Sequence, residues 1–108
     1  MAFKAEKLTE LLKHLAAEFM AKESSGAALL TITSASLSEN KQRATIFFTV
    51  YPLAKEKALL DFAKRKRGEF RNFVSSHSRL GQLPFIDFAL DEGEKRRQRF
   101  DEISREAE

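Results

Sequence analysis

The spacing of apolar residues along this chain switches between the period of a helix and that of a strand. From about Lys4 to Lys22 apolar residues recur every three or four positions, which predicts an amphipathic helix. Leu29 to Ser38 is rich in Leu, Ile, Thr and Ser, and Arg43 to Tyr51 is denser in β-branched and aromatic residues, so both predict strands. A hairpin turn is expected between them, at residues 39–41.

A second helical pattern runs from about Lys55 to His77 and contains Gly68 near its middle. Because glycine inside a helix costs about 0.5–1 kcal/mol relative to alanine, its presence suggests a kink or a close backbone approach, and two helices at an angle are expected here. Pro84 opens a third strand that continues to Leu90. Asp91 is placed to cap a C-terminal helix or tail over residues 91–108.

This order of elements predicts an α+β fold, α-β-β-α(kinked)-β plus a C-terminal helix, with a three-stranded sheet covered on one face by helices. Alternate strand residues should face the core: Ala44, Ile46, Phe48, Val50, Ile86, Phe88 and Leu90. The opposite face would carry Phe47, Tyr51, Phe85 and Asp87, either as an exposed aromatic patch or beneath the terminal helix. A chain of 108 residues with 43% apolar content is expected to form one domain, residues 1–108.

Cationic residues are concentrated in the second helical segment. The chain holds 19 Lys and Arg against 16 Asp and Glu, so its net charge of +3 alone does not indicate a nucleic-acid partner, and placement must decide. On a straight helix Lys57, Lys64, Arg67 and Arg71 fall within an arc of about 80°, away from the apolar stripe. Lys66 falls inside that stripe, where a lysine must extend to solvent or be presented at a bend.

These cations have two interpretations. Together with Arg79 in the following loop, and with Lys95, Arg96, Arg97 and Arg99 near the C-terminus, they would follow a phosphate backbone. A charged run on a helix is also often only its solvated face, and acidic neighbours such as Asp61 and Glu69 partly neutralise this one. Without further information the solvated face is the favoured interpretation, and the position of Lys66 is the observation that favours RNA binding.

The sequence lacks a set of residues suited to catalysis. It has no Cys, and its two histidines, His14 and His77, lack metal-ligand spacing, so we expect no catalytic residue, no metal site and no cofactor. None of the four glycines lies in a phosphate-loop pattern. Neither a signal peptide nor an unbroken apolar span is present, and a cytoplasmic protein that does not contact membranes is expected.

The second half of the chain resembles the ribosome-binding factor A family, whose fold belongs to the type II KH class. The resemblance rests on Lys66 to Arg71, Leu83 to Phe88 and Arg99, Phe100 and Ile103, and the first hairpin is similar in pattern. In that family a kinked helix with an Ala-x-Gly turn replaces the Gly-x-x-Gly loop of other KH domains. Here the turn is Lys66-Arg67-Gly68, with Lys at the position where Ala is usual. Gly93 and Arg96 stand where Ser and Glu are usual.

The resemblance implies a non-enzymatic factor, acting as a monomer, that binds the small ribosomal subunit and its 16S rRNA during late maturation and rRNA processing. It assigns RNA contacts to Lys66, Arg67 and Gly68, and more weakly to Arg71 and Arg79. Charge placement adds Lys57 and Lys64 as RNA-binding residues. Without a Gly-x-x-Gly loop, shape and backbone are expected to be recognised rather than bases. The alternative is a small protein-interaction module that uses the exposed aromatic sheet face.

Overall fold

A computed structural model describes residues 5–23, 28–94 and 96–97. Its helices and strands are α1 (Ala5–Glu23), β1 (Leu29–Leu37), β2 (Arg43–Tyr51), α2 (Glu56–Arg65), α3 (Arg67–Ser76) and β3 (Phe85–Leu90), with a 3-10 turn at Leu53–Lys55. The predicted bounds of β2 are confirmed, and those of α1, β1 and β3 are correct to within a residue at either end. Strong strand formers fill β2, and Pro52 follows its last residue.

The three strands form one sheet in the order β1-β2-β3. The first two are antiparallel and are joined by a tight turn in which Lys41 has a φ of 59°. The second and third are parallel, so the chain must cross from one end of the sheet to the other, and α2 and α3 form this connection. The predicted three-stranded sheet with helices on one face is confirmed.

The core lies between the inner face of the sheet and the three helices. Its buried strand residues are the predicted Ala44, Ile46, Phe48, Val50, Ile86 and Phe88, with Leu90 packed against them. Phe70 of α3 is fully buried at the centre, with its ring 5.3 Å from that of Phe19 on α1 and 5.4 Å from that of Phe88 on β3. The Phe70 side chain of α3 therefore packs against both α1 and the sheet.

The long second helix is interrupted as predicted, within the Lys66-Arg67-Gly68 turn, but at Lys66 rather than at Gly68. Its break lies at Lys66, where φ is −91° and ψ is 4°, and Gly68 belongs to the first turn of α3. The prediction that Gly68 causes the kink is therefore wrong. A straight helix would place Lys66 in the apolar stripe, and burying an unpaired amine is costly. At the break, the Lys66 amine lies 3.2 Å from the Glu69 carboxylate and 5.7 Å from the centre of the Phe62 ring.

Asp91 starts a helical turn immediately after β3. One of its carboxylate oxygens accepts the Glu94 N–H at 2.9 Å, and the other accepts the hydroxyl of Thr33 at 2.5 Å. These hydrogen bonds hold the pKa of the Asp91 carboxyl below its ordinary value. The predicted cap is confirmed, and residues 92–94 and 96–97 are helical. The rest of the predicted C-terminal helix, including Lys95 and Arg99, lies outside the described residues.

Within the part of the chain that the structure describes, no helix has both the length and the apolar content that a membrane crossing requires.

Candidate nucleic-acid interface

Asp87 of β3 contacts both halves of the broken helix, α2 and α3. Its carboxylate oxygen Oδ1 lies 2.8 Å from the Lys64 amine at the end of α2 and 3.2 Å from the Arg67 guanidinium at the start of α3. The same oxygen accepts the backbone N–H of Phe88 at 2.8 Å. The Arg67 guanidinium also donates to the Lys64 carbonyl at 2.9 Å. One carboxylate thus holds two of the predicted RNA-binding cations at the helix break.

Opposing effects act on the pKa of Asp87. Partial burial raises it, but the hydrogen bonds from Lys64 and Phe88 and the charges of Lys64 and Arg67 outweigh that effect, so the pKa lies below its ordinary value. The carboxylate is therefore charged at neutral pH. About a third or more of each of the three charged side chains remains exposed to solvent.

The other predicted site residues surround this group without joining it. Lys57 is exposed on the first turn of α2, and Arg71 is exposed one turn after Arg67, where it donates to the Leu83 carbonyl at 3.1 Å. Lys66 is half-buried and paired with Glu69. Gly68 is exposed, and a Cβ built there would meet nothing within 4 Å. The cations that were predicted to lie along one straight helix therefore lie on both sides of the break at Lys66.

Arg79 lies in the loop between α3 and β3, next to an open cleft of about 510 Å³. The hairpin turn between β1 and β2 forms the other wall, which carries Lys41 and Gln42. A smaller cleft of about 250 Å³, lined by Arg71 and Asn72, shares the loop segment Leu80–Leu83 with the first. Cationic residues therefore line the clefts on both sides of this loop.

Three residues of this region received no RNA-binding role from the sequence: Arg43, Phe85 and Asp87. Arg43 and Phe85 are the first residues of β2 and β3 and stand directly opposite each other in the parallel ladder. The sequence contains one feature that indicates their position. In both strands the first residue is exposed and the second is buried, so Arg43 and Phe85 lie on the outer face of the sheet. The parallel register that aligns these strand starts is a tertiary feature that the pattern did not specify.

The outer sheet face presents exposed aromatic rings, as one of the two sequence alternatives expected. Tyr51 is 70% exposed and Phe85 is 53% exposed, whereas Phe47 is half-buried. Leu29, which pairs with Tyr51 across the β1–β2 ladder, is 64% exposed.

The arrangement of elements defines a KH-like α+β fold: a helix and a β-hairpin are followed by a broken helix and a third strand parallel to the second. The chain belongs to the ribosome-binding factor A family, because the model of that family matches residues 4–104. No curated protein matches the chain at a significant level.

Solved structures share this fold. Ribosome-binding factor A from Thermus thermophilus superposes with a TM-score of 0.72 at 19% identity, over 81% of this chain and 94% of that one. A homology model of the Thermus thermophilus protein, fitted into the cryo-EM map of a 30S complex, gives a TM-score of 0.70 at 22% identity, over 81% and 93%. A putative ribosome binding factor A from Thermotoga maritima gives 0.56 at 22% identity, over 79% and 80%.

Proposed function

We propose that this protein binds the small ribosomal subunit and its 16S rRNA during late maturation, as a non-enzymatic assembly factor. The observation that carries the proposal is the family match over residues 4–104. The Thermus thermophilus factor, which has the same fold, has been fitted into a map of its complex with the 30S subunit. The proposal treats residues 1–108 as one KH-like RNA-binding domain that acts as a monomer in the cytoplasm.

The described surface supports phosphate contacts of two kinds. Lys57, Arg71 and Arg79 are exposed, and none of them forms an ion pair with another described residue, so their charges are available to RNA. Lys64 and Arg67 are paired with Asp87, but a surface pair of this kind is worth only about 0–1 kcal/mol. Phosphate oxygens can therefore replace the carboxylate at little cost.

Lys66 and Gly68 complete the proposed contact surface at the helix break. Gly68 carries no side chain that would keep a phosphate from the exposed backbone of the first turn of α3. Lys66 would contribute by turning from Glu69 and from the Phe62 ring toward RNA, and the i,i+3 pair lost in this way is a weak interaction.

Co-sedimentation of the purified protein with isolated small and large ribosomal subunits, over a range of salt concentrations, tests the proposal. Binding should be restricted to the small subunit and should weaken steeply with salt, since each phosphate contact contributes about 0.7–0.9 to the log-log slope. Co-sedimentation with the large subunit alone, or with neither, would eliminate the assembly-factor function.

A pair of matched variants locates the contact surface. Lys57→Gln combined with Arg71→Gln removes two cations beside the break and leaves Asp87 and its partners in place. Lys13→Gln combined with Lys22→Gln removes the same charge from α1. We expect the first variant to bind less tightly and with a shallower salt slope, by about 1 per lost contact. Equal weakening by both variants would show that only net charge matters.

The exposed residues Leu29 and Tyr51 favour a second candidate function, a protein contact on the outer sheet face. An apolar interface of that kind would be nearly indifferent to salt. Binding to the small subunit that persists at high salt and is lost in Tyr51→Ser would support this candidate instead.

A further inference from the structure

Phe85 places an aromatic ring at the sheet edge beside the helix break. It follows the buried Pro84, and its backbone N–H donates to the Gln42 carbonyl at 2.8 Å, which fixes the residue at the start of β3. The next residue, Ile86, is buried, so Phe85 lies on the outer phase of the strand, where it is 53% exposed. Exposure of one ring is common and does not by itself define a site.

Two guanidinium groups lie over this ring. The guanidinium carbon of Arg43, the ladder partner of Phe85, lies 5.4 Å from the ring centre, and that of Arg67 lies 5.9 Å from it. Both distances are within the range of cation–π contacts. Arg67 reaches the ring from α3, where Asp87 and the Lys64 carbonyl hold its side chain. Three separate chain segments therefore build the Arg43–Phe85–Arg67 cluster.

The charge around the cluster favours an anionic ligand. Arg43, Arg67 and Lys64 supply three positive charges, and Asp87 supplies one negative charge, which leaves a local charge of +2. An unpaired base can stack on an aromatic ring or on the plane of a guanidinium group, and guanidinium groups also bind phosphates, so this cluster suits a nucleotide. The bases of a duplex are already stacked on one another and cannot use it.

We propose that the Arg43–Phe85–Arg67 cluster binds one unpaired nucleotide of RNA. This inference rests on the proposed function and adds a stacking contact to its phosphate contacts. Stacking tolerates any base, since every base has a π-face, so the site requires no sequence preference.

The neighbouring cleft gives the next nucleotide a place to lie. Gln42 and Pro84, which immediately precede Arg43 and Phe85, line the 510 Å³ cleft that also contains Lys41 and Arg79. Clefts of about 300–1,000 Å³ are typical of sites for small ligands, so this one has room for a nucleotide. A single strand thus has a continuous path from the helix break, across Phe85, toward the cations of the cleft.

Fluorescence anisotropy with a short labelled single-stranded RNA, and with an RNA duplex of equal length, tests the site in the full chain. Phe85→Leu should reduce single-strand affinity about 5- to 150-fold, the range of base–aromatic stacking, without changing the salt slope. Phe85→Tyr retains the ring and should remain within about twofold of the original affinity. Duplex binding should be unchanged, and thermal unfolding of each variant verifies that it is folded.

Tyr51→Leu is the matched control. Tyr51 is an exposed ring on the same sheet face, eight residues from Arg43 along β2 and so about 26 Å away at 3.3 Å per residue. Within the described residues it has no cation–π contact. Its loss should leave RNA affinity unchanged, and equal weakening by Tyr51→Leu and Phe85→Leu would overturn the proposal.

The same measurements separate this inference from the proposed function. If the unmodified protein binds the small subunit and the Lys57/Arg71 variant is weakened, but Phe85→Leu binds single strands normally, only the nucleotide site is refuted. If the unmodified protein does not bind the small subunit, the proposed function fails and this site fails with it.

Discussion

Replacing Asp87 with Asn tests whether its carboxylate holds the broken helix against the sheet. Asn has nearly the same size and retains an oxygen that can accept the Phe88 N–H, so the change mainly removes the negative charge between Lys64 and Arg67. The two cations would then face each other without a counterion at the end of α2 and the start of α3. We expect the variant to be folded but less stable.

The expected loss of stability follows from the geometry and the solvent exposure of the Asp87, Lys64 and Arg67 side chains. The contacts of 2.8 Å and 3.2 Å are charge-assisted hydrogen bonds, which contribute about 1.5–3 kcal/mol when they are well shielded. The three side chains are 34–39% exposed, and water screens such pairs to about 0–1 kcal/mol each. A total of about 1 kcal/mol is therefore expected, or a decrease in Tm of about 4–8 °C.

Thermal unfolding of Asp87→Asn and of the unmodified protein, measured at several pH values, provides the assay. Because the folded-state pKa of Asp87 is lowered, its stabilisation is fully present above the unfolded value of about 3.9 and is lost as the pH falls through the folded value. The difference in Tm should therefore be constant near neutral pH and should vanish in strong acid. A difference that persists at low pH, or none at pH 7, would refute the role of the charge.

Three further substitutions test other parts of the fold by thermal or urea unfolding. Gly68→Ala should raise the free energy of unfolding by about 0.5 kcal/mol, because the added Cβ meets nothing within 4 Å in the first turn of α3; a decrease would show that the glycine is needed for the backbone. Asp91→Ala should cost about 1 kcal/mol through loss of the cap on the Glu94 N–H, and an unchanged Tm would contradict that capping role. Phe70→Ala should cost about 3–5 kcal/mol, because the ring is fully buried, and a loss below about 1 kcal/mol would be inconsistent with a central position.

Local patterns were sufficient to predict the elements of this fold, but a glycine was a poor guide to where the helix breaks. The alternation in β2 is bounded by a turn and a proline, so the bounds of the strand and its inner face followed from the sequence. Gly68 is a weak breaker, since its cost of about 1 kcal/mol is easily offset by tertiary packing around Phe70. Lys66 was the stronger signal, because an unbroken helix would have placed its amine in the apolar stripe.

The candidate interface was less accessible to sequence analysis because its contacts join distant segments. Asp87 appeared only as the polar residue between Ile86 and Phe88, yet it pairs with cations 20 and 23 residues earlier in the chain. Periodicity defines which face a residue occupies, but not which helix end passes over that face. Arg43 was overlooked for the same reason, since its contact with Phe85 requires the parallel register of β2 and β3.

The position of the break determines which cation can reach the outer sheet face. With the interruption at Lys66, Arg67 becomes the first residue of α3, and its guanidinium is held between Asp87 and the Phe85 ring. A break at Gly68 would instead leave Arg67 in the last turn of the same helix as Lys64. Binding of a phosphate by Arg67 must therefore compete with Asp87, whereas stacking of a base on Phe85 is a contact between uncharged groups. For this reason the two RNA contacts proposed here respond differently to salt, and this difference allows them to be measured separately.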